Sequence, residues 1–316
     1  MDTRDTFLAT GDDRLLPIVD AHHHFFDLER NPHPWLQQRP LIPFRYGDYS
    51  AICRSYPPAD YRAAWGGHNV VASVLMEGEW DPRDPLSEAR WASEVAHEHG
   101  LPNAIVGQVW LDRDDLPEVL AGLAAFPLVR SVRHKPRVTT RAEHDAHFAP
   151  PGSMRCPRWR AGYAQLARYG LQFELQAPWW HFGEARELAR DFPATMIIVN
   201  HAGLPADRSA EGLAAWRRAL ALLADEPNVR LKISGIGVPG QPWTAALQAP
   251  VIDGAIDTFG VARCAFASNH PVDGLCASFQ TIYQVFKEVT RRRSPQDRLQ
   301  LFHDNARAWY GLSGDH

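Results

Sequence analysis

Eight short apolar runs, each followed by a segment of helical periodicity, constrain this chain more than any other feature. The runs cover residues 16–20, 70–76, 104–110, 129–133, 171–176, 196–200, 229–233 and 264–268. Runs of this length and content read as parallel strands buried on both faces. Strand and helix in strict alternation give an α/β chain, and eight repeats are the number that closes a barrel. The expected fold is a (β/α)8 TIM barrel, with residues 1–316 forming one domain.

The helical segments carry stop signals where helices end. The pattern over 86–99 stops at Gly100, that over 116–126 before Pro127, that over 159–169 at Gly170, and that over 182–191 before Pro193. Segments 210–224, 250–259, 275–290 and 295–310 complete the set. A long insertion, residues 25–69, follows the first strand, and residues 139–157 lengthen the connection after the fourth. Loops after strand C-termini build the active sites of such barrels, so both are expected to shape one.

Composition excludes several classes. A formal charge of −4 with both signs interspersed offers no basic footprint for nucleic acid, and no apolar stretch is long enough to span a bilayer. The acidic start Met1-Asp2-Thr3-Arg4-Asp5 lacks the features of a secretion signal, which points to a cytoplasmic protein. Four scattered cysteines without a CxxC pair read as free thiols. The expected partner is a small-molecule substrate, and a homo-oligomer is compatible with this composition.

The strand ends carry the polar residues. His22 and His24 follow the first run, Glu77 and Glu79 the second, and Arg133, His134, Lys135 and Arg137 the fourth. Glu174 and Gln176 end the fifth, Asn200 and His201 the sixth, and Asn269, His270 and Asp273 follow the eighth. Alternation on an extended chain places His22 and His24 on one face, a two-toothed ligand for a metal or an anion. Arg133 and Lys135 share a face likewise, suited to a substrate anion, unless they form a surface run neutralised by Glu143 or Asp145. Asp273 either supplies a carboxylate to the site or caps the following helix. Gln176 and Asn269 suit hydrogen bonds to substrate oxygens, and Trp35, Trp80, Trp110, Trp179 and Trp180 suit flat walls, with Trp110 singled out.

Five stretches together resemble the amidohydrolase superfamily, in its lactonase-containing amidohydrolase-2 branch. They are Ile18-Val19-Asp20-Ala21-His22-His23-His24, Val132-Arg133-His134-Lys135, Val199-Asn200-His201-Ala202-Gly203, Phe266-Ala267-Ser268-Asn269-His270-Pro271-Val272-Asp273, and the ending that runs from Phe302 to Tyr310. The resemblance implies hydrolysis at a carbonyl, the substrate being a sugar-acid or muconate-type lactone, with His201 and Asp273 as catalytic groups. In metal-using members of the branch the His-x-His pair is joined by a His after strand five and an Asp after strand eight; here Gln176 and Asn269 stand in those places. Three readings stay open. A divalent ion such as zinc binds His22, His24 and Glu77; or His22, His24, His201 and nearby cations polarise the carbonyl without metal; or the barrel binds without catalysis. Decarboxylation, known in related barrels, is the alternative chemistry.

Overall fold

A computed structural model describes residues 3–312. Its centre is one eight-stranded parallel sheet in the order β1 to β8. The strands are β1 Ile18–His23, β2 Val70–Met76, β3 Ala104–Gln108, β4 Val129–Arg133, β5 Gln172–Leu175, β6 Ile197–Val199, β7 Val229–Ile233 and β8 Cys264–Phe266. The edges meet at the C-terminal rim, where Asn269 N–H donates to the His22 carbonyl and His24 N–H to the His270 carbonyl, both at 2.8 Å. The fold is the (β/α)8 barrel.

Two layers of apolar side chains hold it. Ile18, Leu75, Ile105, Val132, Phe173, Ile197 and Phe266 face outward into the helix-packed shell. Val19, Val74, Ala104, Ile198 and Ala265 face the barrel interior, which Ala306, Trp309 and Tyr310 of the last helix close from the N-terminal end. With that end plugged, chemistry is confined to the other.

One buried carboxylate staples the closing strands. Asp20 accepts from Ser268 N–H at 2.7 Å, Ser268 Oγ at 2.6 Å, Tyr61 Oη at 2.7 Å and Tyr283 Oη at 3.1 Å. Burial pushes its pKa up while those donors pull it down. His23 belongs to this outer layer, hydrogen-bonded to Ser73 Oγ at 3.0 Å and stacked on Tyr61.

The helices start and stop for local reasons. Ser209, Thr244, Ser278 and Ser294 cap helix N-termini with their side chains, and Gly100 and Gly170 end helical segments in the left-handed region. Several expected boundaries move, and the segment 159–169 divides into Pro157–Tyr163 and Leu166–Tyr169. The helix expected over 250–259 runs Ala245–Phe259, because the Thr244 cap outweighs the hydrogen bond that Pro250 cannot make. The segment 275–290 divides into a short turn, Val272–Leu275, and a helix, Phe279–Thr290, with Ser278 rather than Asp273 at its N-cap. The segment 295–310 is interrupted by a π-turn at Gln300–Asp304. Among the described residues no helix is long and apolar enough to cross a membrane.

Candidate active site

A register shift between Asp20 and His23 in β1 lets Asp20 face the helices while His22 and His24 turn to the mouth. His22 is fully buried, and neither its Nδ1 nor its Nε2 has a hydrogen-bond partner. Its ring centroid lies 5.2 Å from that of His24 and 4.6 Å from that of His201. A buried polar group without a partner is costly, so a bare His22 ring between two other imidazoles marks a place built for something else.

All three imidazoles are held neutral. Burial is the main cause of the depressed pKa of His22, His24 and His201, assisted by cations: Lys232 and Arg133 at His22, Arg133 and Lys135 at His24, Arg45 and Arg133 at His201. His24 Nδ1 lies 3.0 Å from the Met76 carbonyl, which only accepts, so that nitrogen carries the proton and Nε2 keeps its lone pair. His201 Nδ1 pairs with Ser234 Oγ at 3.0 Å.

Around these rings the other polar residues form closed sets. Arg133 Nε donates to Glu77 Oε1 at 2.5 Å, Nη2 to the Glu77 carbonyl at 2.9 Å, and Nη1 to Gln176 Oε1 at 3.0 Å. Glu77 Oε2 accepts from Glu79 N–H at 2.7 Å, and Lys135 pairs with Glu79. The basic run after β4 therefore finds its carboxylates on the β2 loop; Glu143 instead caps Thr139 and Thr140. His134 turns outward, its Nδ1 accepting from Trp159 Nε1 at 2.9 Å and Leu111 N–H at 3.1 Å.

On the far side Asp273 Oδ1 accepts from Asn269 Nδ2 at 2.7 Å and Tyr46 Oη at 2.8 Å, with Arg45 Nη2 at 3.7 Å. Its Oδ2 is buried and unpartnered. Burial raises the pKa of Asp273, opposed by Arg45. Below the rings, Lys232 Nζ sits 2.9 Å from Glu174 Oε2, which also accepts from Asn200 Nδ2 at 2.5 Å, while Tyr310 bonds the other oxygen. Burial brings the Lys232 pKa down to about 8.

The backbone is strained here and nowhere else among the described residues. Glu79, His201, Ala202, Leu204 and Asn269, the non-glycine residues with positive φ, all follow β2, β6 or β8 at this rim. Such conformations persist where surrounding structure enforces them. Gly235, at φ 59°, gives His201 its room: a Cβ there would fall 2.4 Å from the ring.

The candidate residues lie at or beyond the C-terminal ends of the strands, although His134 turns outward. His22, His24 and His201 come together; Glu77 joins Arg133 and Gln176, Asn269 joins Asp273, and Lys135 stands at the lip. Trp110 is 44% exposed on the wall of an adjoining cleft. Arg45, Tyr46, Lys232 and Ser234 escaped that reading. Lys232 had a signal, a lysine inside an apolar strand; Arg45 and Tyr46 lie in the aperiodic insertion and had none.

A second histidine cluster lies apart. Donor atoms of His144, His181 and Glu184 all fall within 4.8 Å of one another, the only such set of three among the described residues. Thr139 N–H donates to His181 Nε2 at 3.1 Å, so Nδ1 carries the ring proton and donates to Glu184 Oε1 at 3.1 Å; His144 Nε2 lies 2.9 Å from the same oxygen. Every donor has an acceptor, and Arg155 adds a cation 3.9 Å from Glu184. The set braces the 139–157 segment against the helix Phe182–Asp191.

A family model described as amidohydrolase matches residues 19–312. The chain belongs to the amidohydrolase family. Its relatives include the uncharacterized protein y4mH of Sinorhizobium fredii, 38% identical over 93% of this chain and 98% of that one. L-fucono-1,5-lactonase of Burkholderia ambifaria is 26% identical over 94% of this chain and 97% of its own. Among solved structures, an amidohydrolase from Burkholderia multivorans with bound zinc superposes with a TM-score of 0.75 at 23% identity, covering 94% of this chain and 99% of that one. That likeness establishes the barrel.

The donor set at the rim suits a divalent ion in part of its shell. His22 with two bare nitrogens and His24 with a lone pair on Nε2 are two good donors for zinc. No third His, Cys, Asp or Glu donor gathers with them within 4.8 Å among the described residues. The rim offers two imidazole donors and no complete ligand set.

Proposed function

We propose that this barrel hydrolyses a small-molecule lactone, a carboxylic ester, at its C-terminal rim. The observation that carries the reading is His22: a fully buried neutral imidazole with both nitrogens unpartnered, flanked by His24 and His201. A neutral imidazole owns one N–H and one lone pair. The His22 N–H donates to the lactone carbonyl oxygen and takes up the charge that grows there as the carbon becomes tetrahedral, a contribution of ~10²–10³ in rate for one well-placed donor.

Asp273 Oδ2 receives a proton from the attacking water; burial has raised its basicity, and Asn269 and Tyr46 hold the other oxygen so that Oδ2 faces free. As the ring C–O bond breaks, that proton passes to the leaving alkoxide, and the new acid ionises, releasing one proton per turnover. His201 and His24 accept substrate hydroxyls or water, and Asn269 and Gln176 stand by as amide partners. Arg133, Lys135 and Trp110 flank the substrate; because Glu77 and Glu79 already pair with the two cations, carboxylated lactones are tested beside neutral ones. If a divalent ion sits on His22 and His24, it polarises the carbonyl and lowers the pKa of a bound water.

Relatives named L-fucono-1,5-lactonase support testing sugar lactones first. An indicator-dye screen over sugar, muconate-type and simple lactones is expected to show proton release, and none at any metal loading would overturn the reading. Elemental analysis of the protein and of its His22→Ala/His24→Ala variant decides the ion. Metal near one equivalent that disappears in the variant places it on the two imidazoles; metal-free protein with full turnover excludes it from the reaction.

A further inference from the structure

Beside the histidines, on the β2 to β4 side of the mouth, lies a cleft of about 350 Å³. Its walls are Trp35, Ile42, Trp80 and Trp110, and its floor is formed in part by Glu77 and Arg133, which also belong to the rim. The walls come from three separate segments: Trp35 and Ile42 from the insertion after β1, Trp80 from the loop after β2, and Trp110 from the loop after β3.

One hydrogen bond and several ring contacts hold these walls in place. Trp35 Nε1 donates to the Gly78 carbonyl at 2.8 Å, and its ring is held by Phe44 and Tyr49. Trp80 is buried against Trp91 and His33, and Trp110 leans on the His134 ring at 5.1 Å. The surface the cleft presents is predominantly apolar. Ile42 at 54% and Trp110 at 44% are two of the four exposed large hydrophobic residues among those described, and both stand on this cleft. Exposed apolar surface gathered at one concave place marks a ligand site, and a cleft this size with apolar walls and a few polar groups at one end is typical of small-molecule pockets. Charge does not call for an anion deep in it, because Arg133 is matched by Glu77 and Lys135 by Glu79.

We infer that this cleft seats a flat aromatic or alkyl arm of the substrate, so that the lactone turned over best carries an apolar substituent next to its ring. The inference rests on the lactonase reading for the position of the reacting carbonyl, at the end of the cleft where Glu77 and Arg133 meet the histidines. Aromatic walls stack on a planar arm, and burying it removes the exposed faces of Ile42 and Trp110 from water.

The test pairs γ-phenyl-γ-butyrolactone with unsubstituted γ-butyrolactone, and adds 4-phenylbutyrate as a ligand that cannot be hydrolysed. The phenyl lactone is expected to exceed the unsubstituted one in kcat/KM by at least tenfold, and Trp110→Ala or the exposed Ile42→Ser to cut that ratio at least fivefold. Titration calorimetry is expected to show 4-phenylbutyrate binding that weakens in the same variants. Equal kcat/KM for the two lactones, with a ratio indifferent to both substitutions, overturns the arm site and leaves lactone hydrolysis standing. Binding of 4-phenylbutyrate that depends on Trp110, with neither lactone hydrolysed, upholds the arm site and overturns the hydrolytic reading instead. No binding and no turnover overturns both.

Discussion

The molecule carries two histidine clusters, and the difference that matters is whether their hydrogen bonds are met. At His144, His181 and Glu184 each ring nitrogen facing the cluster has its partner, and the set works as a brace between two loops. At His22, His24 and His201 the central ring has none, although it is the more deeply buried. Proximity of ligand atoms favours the first cluster; unmet hydrogen-bonding capacity favours the second. A protein spends stability to keep a buried group unpaired, so the unpaired set is where a ligand belongs.

That contrast is easiest to break by removing the two rings separately. His22→Leu is expected to cut kcat/KM on the best lactone by at least ~100-fold, the scale of one lost oxyanion donor. Its melting temperature should hold or rise, because no protein partner is left behind. His181→Leu is expected to do the reverse. It leaves Thr139 N–H without its acceptor and takes one donor from the buried Glu184, at a cost of about 1–3 kcal/mol in unfolding free energy, with turnover per folded molecule kept within about twofold. Denaturant melts of both variants beside their kinetics check this.

A third buried ring sharpens the same point through pH. His134 is buried with its Nδ1 fully used as an acceptor, and burial brings its pKa down to about 4. In the unfolded chain an ordinary histidine titrates near 6.5, so between those values the unfolded state binds the extra proton. Stability is therefore complete above pH 6.5 and declines as pH falls toward 4, by up to about 3 kcal/mol from this group. Urea melts of wild type and His134→Gln over that range are expected to show a shallower decline in the variant.

Smallest in scale is the space under His201. Gly235→Ala brings a methyl group against the ring and is expected to lower turnover about tenfold while substrate binding changes less, read as a fall in kcat with KM nearly steady.

The barrel was legible in the sequence because parallel strands buried on both faces leave continuous apolar runs, and helix ends such as Gly100 and Gly170 follow local backbone rules. Boundaries slipped where polar residues carry a strand into the site. β1 reaches His23, past the point where its apolar run stops. The rim was legible as polar residues at the ends of those runs, which brought out His22, His24, Arg133, His201 and Asn269. Arg45 and Tyr46 were not, since nothing periodic in residues 25–69 tells which side chains fold back over the mouth. Lys232 was passed over although a lysine amid strand residues already demanded a buried partner, which proved to be Glu174. Asp273 does not cap the following helix: Ser278 does, and the Asp273 carboxylate bonds Asn269 and Tyr46.

The central claim is that the unpartnered rings, and not the satisfied ones, do the chemistry. Proton release from a lactone panel, followed in parallel for wild type, His22→Leu and His181→Leu and normalised to folded protein, tests it most directly. Release by wild type and His181→Leu with none above background from His22→Leu is the expected result. Release retained in His22→Leu and lost in His181→Leu would contradict it.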